Sequence, residues 1–206
     1  MTNPRSRSRT SPRRPAKSAS ADAPLPARRP IFLVGFMGAG KTVVGRALAG
    51  RLGWRFLDLD DAIVEREGRS IAQIFSDDGE TAFRQIETEV LSEVMRQLRG
   101  GPAVIAVGGG AFVQQRNATL LRRARVHVIF LDAPVDELMM RCRTAAPVRP
   151  LFQDENQFRQ LYEQRRKRYM EADACINTAS RTVDEVAHAV SLAVGLEGDR
   201  KSAVEV

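Results

Sequence analysis

Cysteine and histidine are scarce in this chain, two of each in 206 residues, and the scarcity removes whole classes of chemistry. Cys142 and Cys175 have no metal-ligand spacing, so a structural zinc site is excluded as the organising device. They read as reduced thiols in or near the core, which fits a cytoplasmic protein. His127 and His188 belong to no catalytic pattern and read as structural or surface residues. Long apolar runs are missing as well. No stretch approaches the ~18 apolar residues of a membrane span, and there is no signal-peptide core. Internal repeats are absent. Acidic residues are almost absent from the first thirty positions, where Asp22 alone faces Arg5, Arg7, Arg9, Arg13, Arg14, Lys17, Arg28 and Arg29. That imbalance accounts for the whole formal net charge of +7, and the rest of the chain carries equal numbers of basic and acidic side chains.

The basic character therefore belongs to a tail. Residues 1–29 are rich in Arg, Ser, Pro and Ala, with too little apolar surface to fold, and are expected to be disordered. Pro4, Pro12, Pro15, Pro24 and Pro26 interrupt any amphipathic helix of the transit-peptide kind. Such a tail could meet an anionic surface, but it reads first as a solvated extension without a catalytic role. Residues 199–206 form a short C-terminal tail, leaving 30–198 as one domain of ordinary size.

The strongest motif is Gly35-Phe36-Met37-Gly38-Ala39-Gly40-Lys41-Thr42. It follows the apolar run Ile31–Val34 and precedes residues with helical spacing, as a phosphate-binding loop requires. Glycines let backbone N–H groups of Gly38, Ala39, Gly40 and the residues up to Val43 curl toward phosphate oxygens, and the helix N-terminus adds partial positive charge. Lys41 is expected to reach the β- and γ-phosphates of ATP, and the Thr42 hydroxyl to ligate Mg²⁺.

From residue 31 short apolar runs alternate with longer helical patterns. Strands are expected at Ile31–Val34, Arg55–Asp58, Ala103–Val107, Val126–Leu131 and Ala174–Ile176. Helices are expected near Lys41–Leu52, Asp61–Arg66, Ile71–Phe75, Thr81–Leu98, Ala118–Arg123, Val135–Arg143, Phe158–Tyr169 and Val183–Leu196. Thr182-Val183-Asp184-Glu185 and Ser70-Ile71-Ala72-Gln73 carry capping-box patterns. Phe83, Ile86, Val90, Val94 and Leu98 recur at spacings of three and four, one buried stripe. Met139 and Met140 read as helix packing. Strands separated by helices imply an α/β fold with a parallel sheet and helices on both faces, three layers in all. In such folds the ligand lies beyond the carboxyl ends of the strands.

Those ends hold the remaining candidates. The second strand ends in Leu57-Asp58-Leu59-Asp60-Asp61, and residues two apart on a strand point to the same side, so Asp58 and Asp60 are expected to project together into the crevice beside the loop. One carboxylate would help hold Mg²⁺, usually through water, and the other would bond substrate hydroxyls; Asp61 suits a helix cap. Gly108-Gly109-Gly110 costs folding entropy unless the backbone must approach a ligand closely. Arg84, Arg149 and Arg165 could fork onto carboxylate or phosphate, although spacing alone does not select them from the other basic residues. The residues by themselves lead to a phosphate-loop kinase or nucleoside triphosphatase with an open acceptor.

Taken together, the GFMGAGKT loop, Asp58-Leu59-Asp60, Phe83-Arg84-x-x-Glu87, Gly108-Gly109-Gly110 and Val148-Arg149-Pro150-Leu151 resemble the shikimate kinase family in order and separation over residues 31 to about 195. Gly68-Arg69-Ser70-Ile71-x-x-Ile74-Phe75 is similar to the family's acceptor-binding region. The resemblance implies a nucleoside-monophosphate-kinase-like fold with a five-stranded parallel sheet, and ATP-dependent phosphorylation of the 3-hydroxyl of shikimate on the way to chorismate and the aromatic amino acids. It implies that Lys41 and Thr42 serve phosphates and Mg²⁺, with Asp58 in the metal's outer shell. Asp60 would bind the acceptor's hydroxyls and help remove the proton. Arg84 and Arg165 would grip its carboxylate, with Gly108, Gly109 and Gly110 beside it. Arg149 would come from a mobile lid at about 144–160 and neutralise the transferring phosphoryl group. Arg143 matches the position that stacks on adenine, and Arg181 resembles a further nucleotide contact. Lys167 stands where the family usually has proline, which leaves Arg166 and Arg168 as rivals of Arg165. The lid aligns loosely beyond Leu151, and the basic tail has no counterpart. The implied partners are ATP and shikimate, acting on a cytoplasmic monomer with no need of nucleic acid or membrane. A related kinase of gluconate or a nucleoside monophosphate is the nearest alternative. A phosphate-loop protein tethered to nucleic acid by its tail is the alternative from another class.

Overall fold

The computed structural model describes residues 29–98, 101–144 and 154–196. Residues 1–28 of the expected tail, the lid segment 145–153 with Arg149, and the C-terminal tail lie outside the described residues. Five parallel strands form one sheet: β1 Ile31–Val34, β2 Arg55–Asp58, β3 Ala103–Ala106, β4 His127–Asp132 and β5 Ala174–Asn177. Their order is β2-β3-β1-β4-β5. The central strands β1 and β3 are buried throughout, which is why they read as unbroken apolar runs rather than alternating ones.

The helices are α1 Lys41–Leu52, α2 Leu59–Glu67, α3 Ile71–Leu98, α4 Gln115–Arg123, α5 Val135–Thr144, α6 Glu155–Tyr169 and α7 Val183–Ala193. They cover both faces of the sheet, as expected of a three-layer α/β fold. The two helices expected at Ile71–Phe75 and Thr81–Leu98 meet end to end in α3, with a break at Gly79 (φ 79°, ψ 174°). Both capping boxes form. Ser70 Oγ accepts from Gln73 N at 3.2 Å while Gln73 Oε1 accepts from Ser70 N at 2.8 Å, and Thr182 and Glu185 cap α7 in the same reciprocal way. In α3 the stripe Phe83, Val90 and Val94 is buried, and Ile86 and Leu98 pack at its margin.

Three expectations need correction. Cys175 is exposed, because β5 is an edge strand that turns alternate residues outward, while Cys142 is half-buried. Met139 is buried on α5, but Met140 is 59% exposed on the opposite side of the helix. Helix α2 begins at Leu59, two residues earlier than expected, with consequences for the acidic pair.

Candidate active site

The chain leaves the carboxyl end of β1 at Val34 and curls through Gly35–Gly40 into α1. Gly38 and Gly40 take left-handed φ values of 80° and 87°, conformations that side chains other than glycine rarely adopt. Gly40 is the N-cap of α1 and no side chain caps it, and a helix N-terminus of this kind favours an anion. Lys41 Nζ donates to the carbonyls of Gly35 at 2.9 Å and Phe36 at 3.0 Å. The lysine thus lies folded back along the loop whose phosphates it is expected to serve.

Thr42 Oγ1 donates to Asp58 Oδ2 at 2.7 Å, and Asp58 Oδ1 accepts from the backbone N of Asp60 at 3.0 Å. The second bond shows why strand alternation fails beyond Asp58. Asp58 is both the last residue of β2 and the N-cap of α2, so Asp60 sits in a helical first turn. Both carboxylates still line one cleft, by helix geometry rather than by pleat. Among the described residues no cluster of three or more His, Cys, Asp or Glu could hold a metal by itself. A hydroxyl and a carboxylate in contact at the loop do suit Mg²⁺, which takes few protein oxygens and fills its shell with water and phosphate.

The triple glycine lies opposite. A Cβ on Gly108 would stand 2.6 Å from Asp60 Oδ1 and 3.1 Å from Glu87 Oε1, and one on Gly110 would overlap the Arg84 guanidinium. A side chain at either position would displace the head group of Asp60 or Arg84 from its place. Arg84 Nη1 donates to Glu87 Oε2 at 2.9 Å, and the same oxygen accepts from Gln114 Nε2 at 2.7 Å. Arg84 also pairs with Glu80 and lies over the rings of Phe83 and Phe75. Glu87 is 1% exposed. Burial pushes its carboxyl above the usual range, and the repulsion of Asp60 adds to this, while the charge and hydrogen bond of Arg84 pull the other way. Burial opposes the charge on Arg84, yet Glu87 and Glu80 outweigh it and raise the guanidinium further.

The arginines of α6 separate cleanly. Arg166 bonds Asp132 at 2.9 Å and Arg168 bonds Glu171 at 2.7 Å. Arg165 lies over the Phe36 ring and beside Gly109, with its Nη1 3.8 Å from where a Cβ would stand. Next to it, buried Tyr169 donates to Gly109 O. Burial raises the Tyr169 hydroxyl against the lowering influence of Arg165 and Arg84, two charges on different helices that reach the same place.

The cleft encloses about 510 Å³ and is lined by the phosphate loop, Thr42, Val43, Asp58, Asp60, Gly109 and Arg181, among others. Arg143 stands apart, exposed and paired with Glu155 on α6. No sequence pattern singles out Arg141, Thr178, Gln114 or Tyr169 as part of the site. Arg141 lines the cleft and pairs with Glu137 at 2.6 Å. An i, i+4 charge pattern on α5 was its only signal, and that pattern is common on solvated helix faces.

Comparison with known proteins follows this geometry. A family profile described as shikimate kinase matches residues 37–194. A shikimate kinase of Synechococcus elongatus is 45% identical over 146 residues, 69% of this chain and 74% of that protein. A structure of shikimate kinase from Acinetobacter baumannii in complex with shikimate superposes with a TM-score of 0.73 at 38% identity, covering 82% of this chain and 94% of the other. A gluconokinase of Sinorhizobium meliloti superposes with a TM-score of 0.57 over 82% of this chain and 93% of its own, but at 17% identity it shares the fold alone.

Proposed function

The chain belongs to the shikimate kinase family, and we propose on that premise how its own residues phosphorylate the 3-hydroxyl of shikimate with ATP. The observation that carries the reading is a cleft lined by a phosphate-binding loop, Asp58, Asp60 and Gly109, with the Arg84–Glu87 pair packed against Gly108 and Gly110 on either side of that glycine. Loop amides and the N-terminus of α1 bind the β- and γ-phosphates, and Lys41 leaves its two loop carbonyls to follow charge moving onto the β–γ bridge. Thr42 and Asp58 would hold Mg²⁺, which would neutralise phosphate charge. The acceptor's carboxylate is gripped by Arg84 and Arg165, with Gly108, Gly109 and Gly110 allowing the close approach. Its 3-hydroxyl then faces Asp60, whose carboxylate orients the oxygen and takes the proton as that oxygen bonds to the γ-phosphorus and the bond to ADP breaks.

The family resemblance supplies the role of Arg149, charge neutralisation from the lid, and nucleotide contacts for Arg143 and Arg181. Val43, 54% exposed at the cleft, adds an apolar surface beside them. We read the enzyme as a magnesium-dependent monomer of the cytoplasm. No helix among the described residues is long and apolar enough to cross a membrane.

The test is a coupled measurement of ADP release with shikimate, gluconate, nucleoside monophosphates and nucleic acid offered in turn. Shikimate alone should give sustained turnover. Turnover with gluconate instead would move the chain's activity to the family whose fold it shares.

A further inference from the structure

We propose that Arg141 is a positioning residue for ATP, one that ties the phosphate loop to the loop following β5 so that both present their ligands in register. The proposal rests on the reading of this cleft as the nucleotide site. Arg141 lies on α5 between the two loops. Its Nη1 donates to Gly38 O at 3.4 Å and Thr178 Oγ1 at 3.0 Å, and its Nη2 donates to Thr178 O at 2.8 Å and Glu137 Oε1 at 2.6 Å. A guanidinium has five N–H donors, and four of these are turned to the protein. A residue so engaged serves as a brace rather than as a phosphate ligand.

Each contact falls on a part that nucleotide binding needs. Peptide groups are planar and trans, so holding Gly38 O toward α5 turns the Ala39 N–H away from Arg141. That N–H donates to Phe36 O at 3.3 Å, a bond within the loop's own turn. Fixing the Gly38 carbonyl therefore holds the turn from which the loop's other amides are to meet the phosphates. On the other side Thr178 is 2% exposed, and it opens the segment that leads through Ser180 to Arg181. Ser180 holds a left-handed φ of 53°, a conformation costly for a residue with a side chain. Glu137 Oε1 takes the Ser180 N–H at 3.4 Å as well as Arg141. The Arg141–Glu137 pair thus holds the turn that carries Arg181 to the cleft. Close packing leaves the brace little play, since a Cβ on Gly38 would stand 2.6 Å from Leu138 O and 3.0 Å from Cys142 Sγ on the same helix.

The test is titration calorimetry of ATP, without acceptor, against Arg141→Met, Arg141→Lys and Thr178→Val, with a melting temperature for each. Losing the brace should weaken ATP about tenfold in Arg141→Met, as loss of a charge-assisted hydrogen-bond network does, while shikimate affinity stays within about twofold. Lysine keeps the charge opposite Glu137 but cannot bridge two loops with one ammonium group. Arg141→Lys should therefore recover the melting temperature and not the ATP affinity. If lysine restores both, or methionine leaves ATP binding within twofold, Arg141 is a structural ion pair and the proposal falls. Should Arg141→Met fail to fold, Thr178→Val decides, because the two side chains have the same shape. A roughly threefold loss of ATP affinity upholds the brace and wild-type affinity overturns it. Wild-type turnover with shikimate is measured beside these. Its absence, together with weakened ATP binding in Arg141→Met, would remove the acceptor assignment and leave the brace standing.

Discussion

At the nucleotide end of the cleft the charge of the ligand is to be met by main-chain N–H groups of Gly38–Val43, whereas at the acceptor end it is to be met by two arginine side chains. The first arrangement costs the fold little. Glycines supply the left-handed turns, and the helix terminus has unpaired donors in any case. The second is expensive. Arg84 must be held in place by a carboxylate that is itself buried, and Glu87 has its pKa raised by that burial. Gly108 and Gly110 also leave room for the Asp60 and Arg84 head groups as they stand. On the proposed reading, the backbone site would recognise phosphate of any origin, while the side-chain site would be fitted to one small carboxylate.

This contrast predicts where single substitutions do most harm. Lys41→Ala should lower kcat by about a thousandfold or more in a folded protein, since loop amides and metal do not replace a charge that acts in the transition state. Near-normal turnover in that variant would remove the loop from the chemistry. Arg84→Ala should cost the acceptor about 2–3 kcal/mol, roughly thirty- to 150-fold in affinity, because it also strands Glu87. ATP binding should hardly move. If calorimetry showed ATP lost and shikimate kept, Arg84 would be a phosphate ligand and the division of the cleft would be wrong. Arg165→Ala should resemble Arg84→Ala, while Arg168→Ala, whose side chain is engaged by Glu171, should not.

The same contrast explains what was legible in the sequence. A backbone site depends on glycines at fixed offsets behind a strand, so residues 35–42 announce themselves. Strands β1, β3 and β4 are legible for a similar reason, since buried parallel strands are short apolar runs, whereas the edge strands β2 and β5 are only partly buried. Asp58 and Asp60 were found for a mistaken reason. Nothing in Leu57-Asp58-Leu59-Asp60-Asp61 shows that the Asp58 side chain takes the Asp60 N–H and ends the strand there. The acceptor site needs tertiary contacts between residues far apart, Glu87 with Gln114 and Tyr169 with Gly109. No local pattern encodes those, and only the family resemblance singled out Arg84 and Arg165. Arg141 was missed because a brace between two loops has the sequence signature of an exposed salt bridge.

A finer test of the acceptor end uses pH. Burial, chiefly, raises the Glu87 pKa above the ordinary carboxylate range, so on acidification Glu87 takes up its proton earlier than an exposed glutamate. Its hold on Arg84 then weakens, and the KM for shikimate should rise on the acid side while the KM for ATP does not. Glu87→Gln should abolish that acid limb and raise the shikimate KM at neutral pH by about three- to tenfold. Stability has a definite sign here too. A carboxyl with a raised folded pKa contributes stability fully below its unfolded pKa and loses it as pH rises through the folded value. Glu87→Gln, fixed as neutral, should therefore flatten the fall in melting temperature across that window. A slope unchanged from wild type would show that Glu87 does not titrate there.

The smallest effect is expected where the charge is greatest. Residues 1–28 carry seven of the eight basic side chains that make the chain cationic, and a reading by net charge would place function there. The domain from Arg29 onward needs little from that segment. Its first fixed contact is the bond from His127 N to Pro30 O at 2.9 Å, which continues the β1–β4 pairing of Ile31 with His127. A cut after residue 28 leaves that bond intact. The segment has almost no apolar surface to bury, and the arginines beside the cleft have acidic partners within the domain, Glu80 and Glu87 for Arg84 and Glu137 for Arg141. Deleting residues 1–28 should therefore change shikimate turnover by no more than a few-fold and the melting temperature by no more than about 2 °C. Binding to polyanions at low salt should weaken, because exposed arginines act through screened fields. A large loss of turnover on truncation would show that the tail docks on the domain, and would place a third source of positive charge beside the loop and the arginine pair.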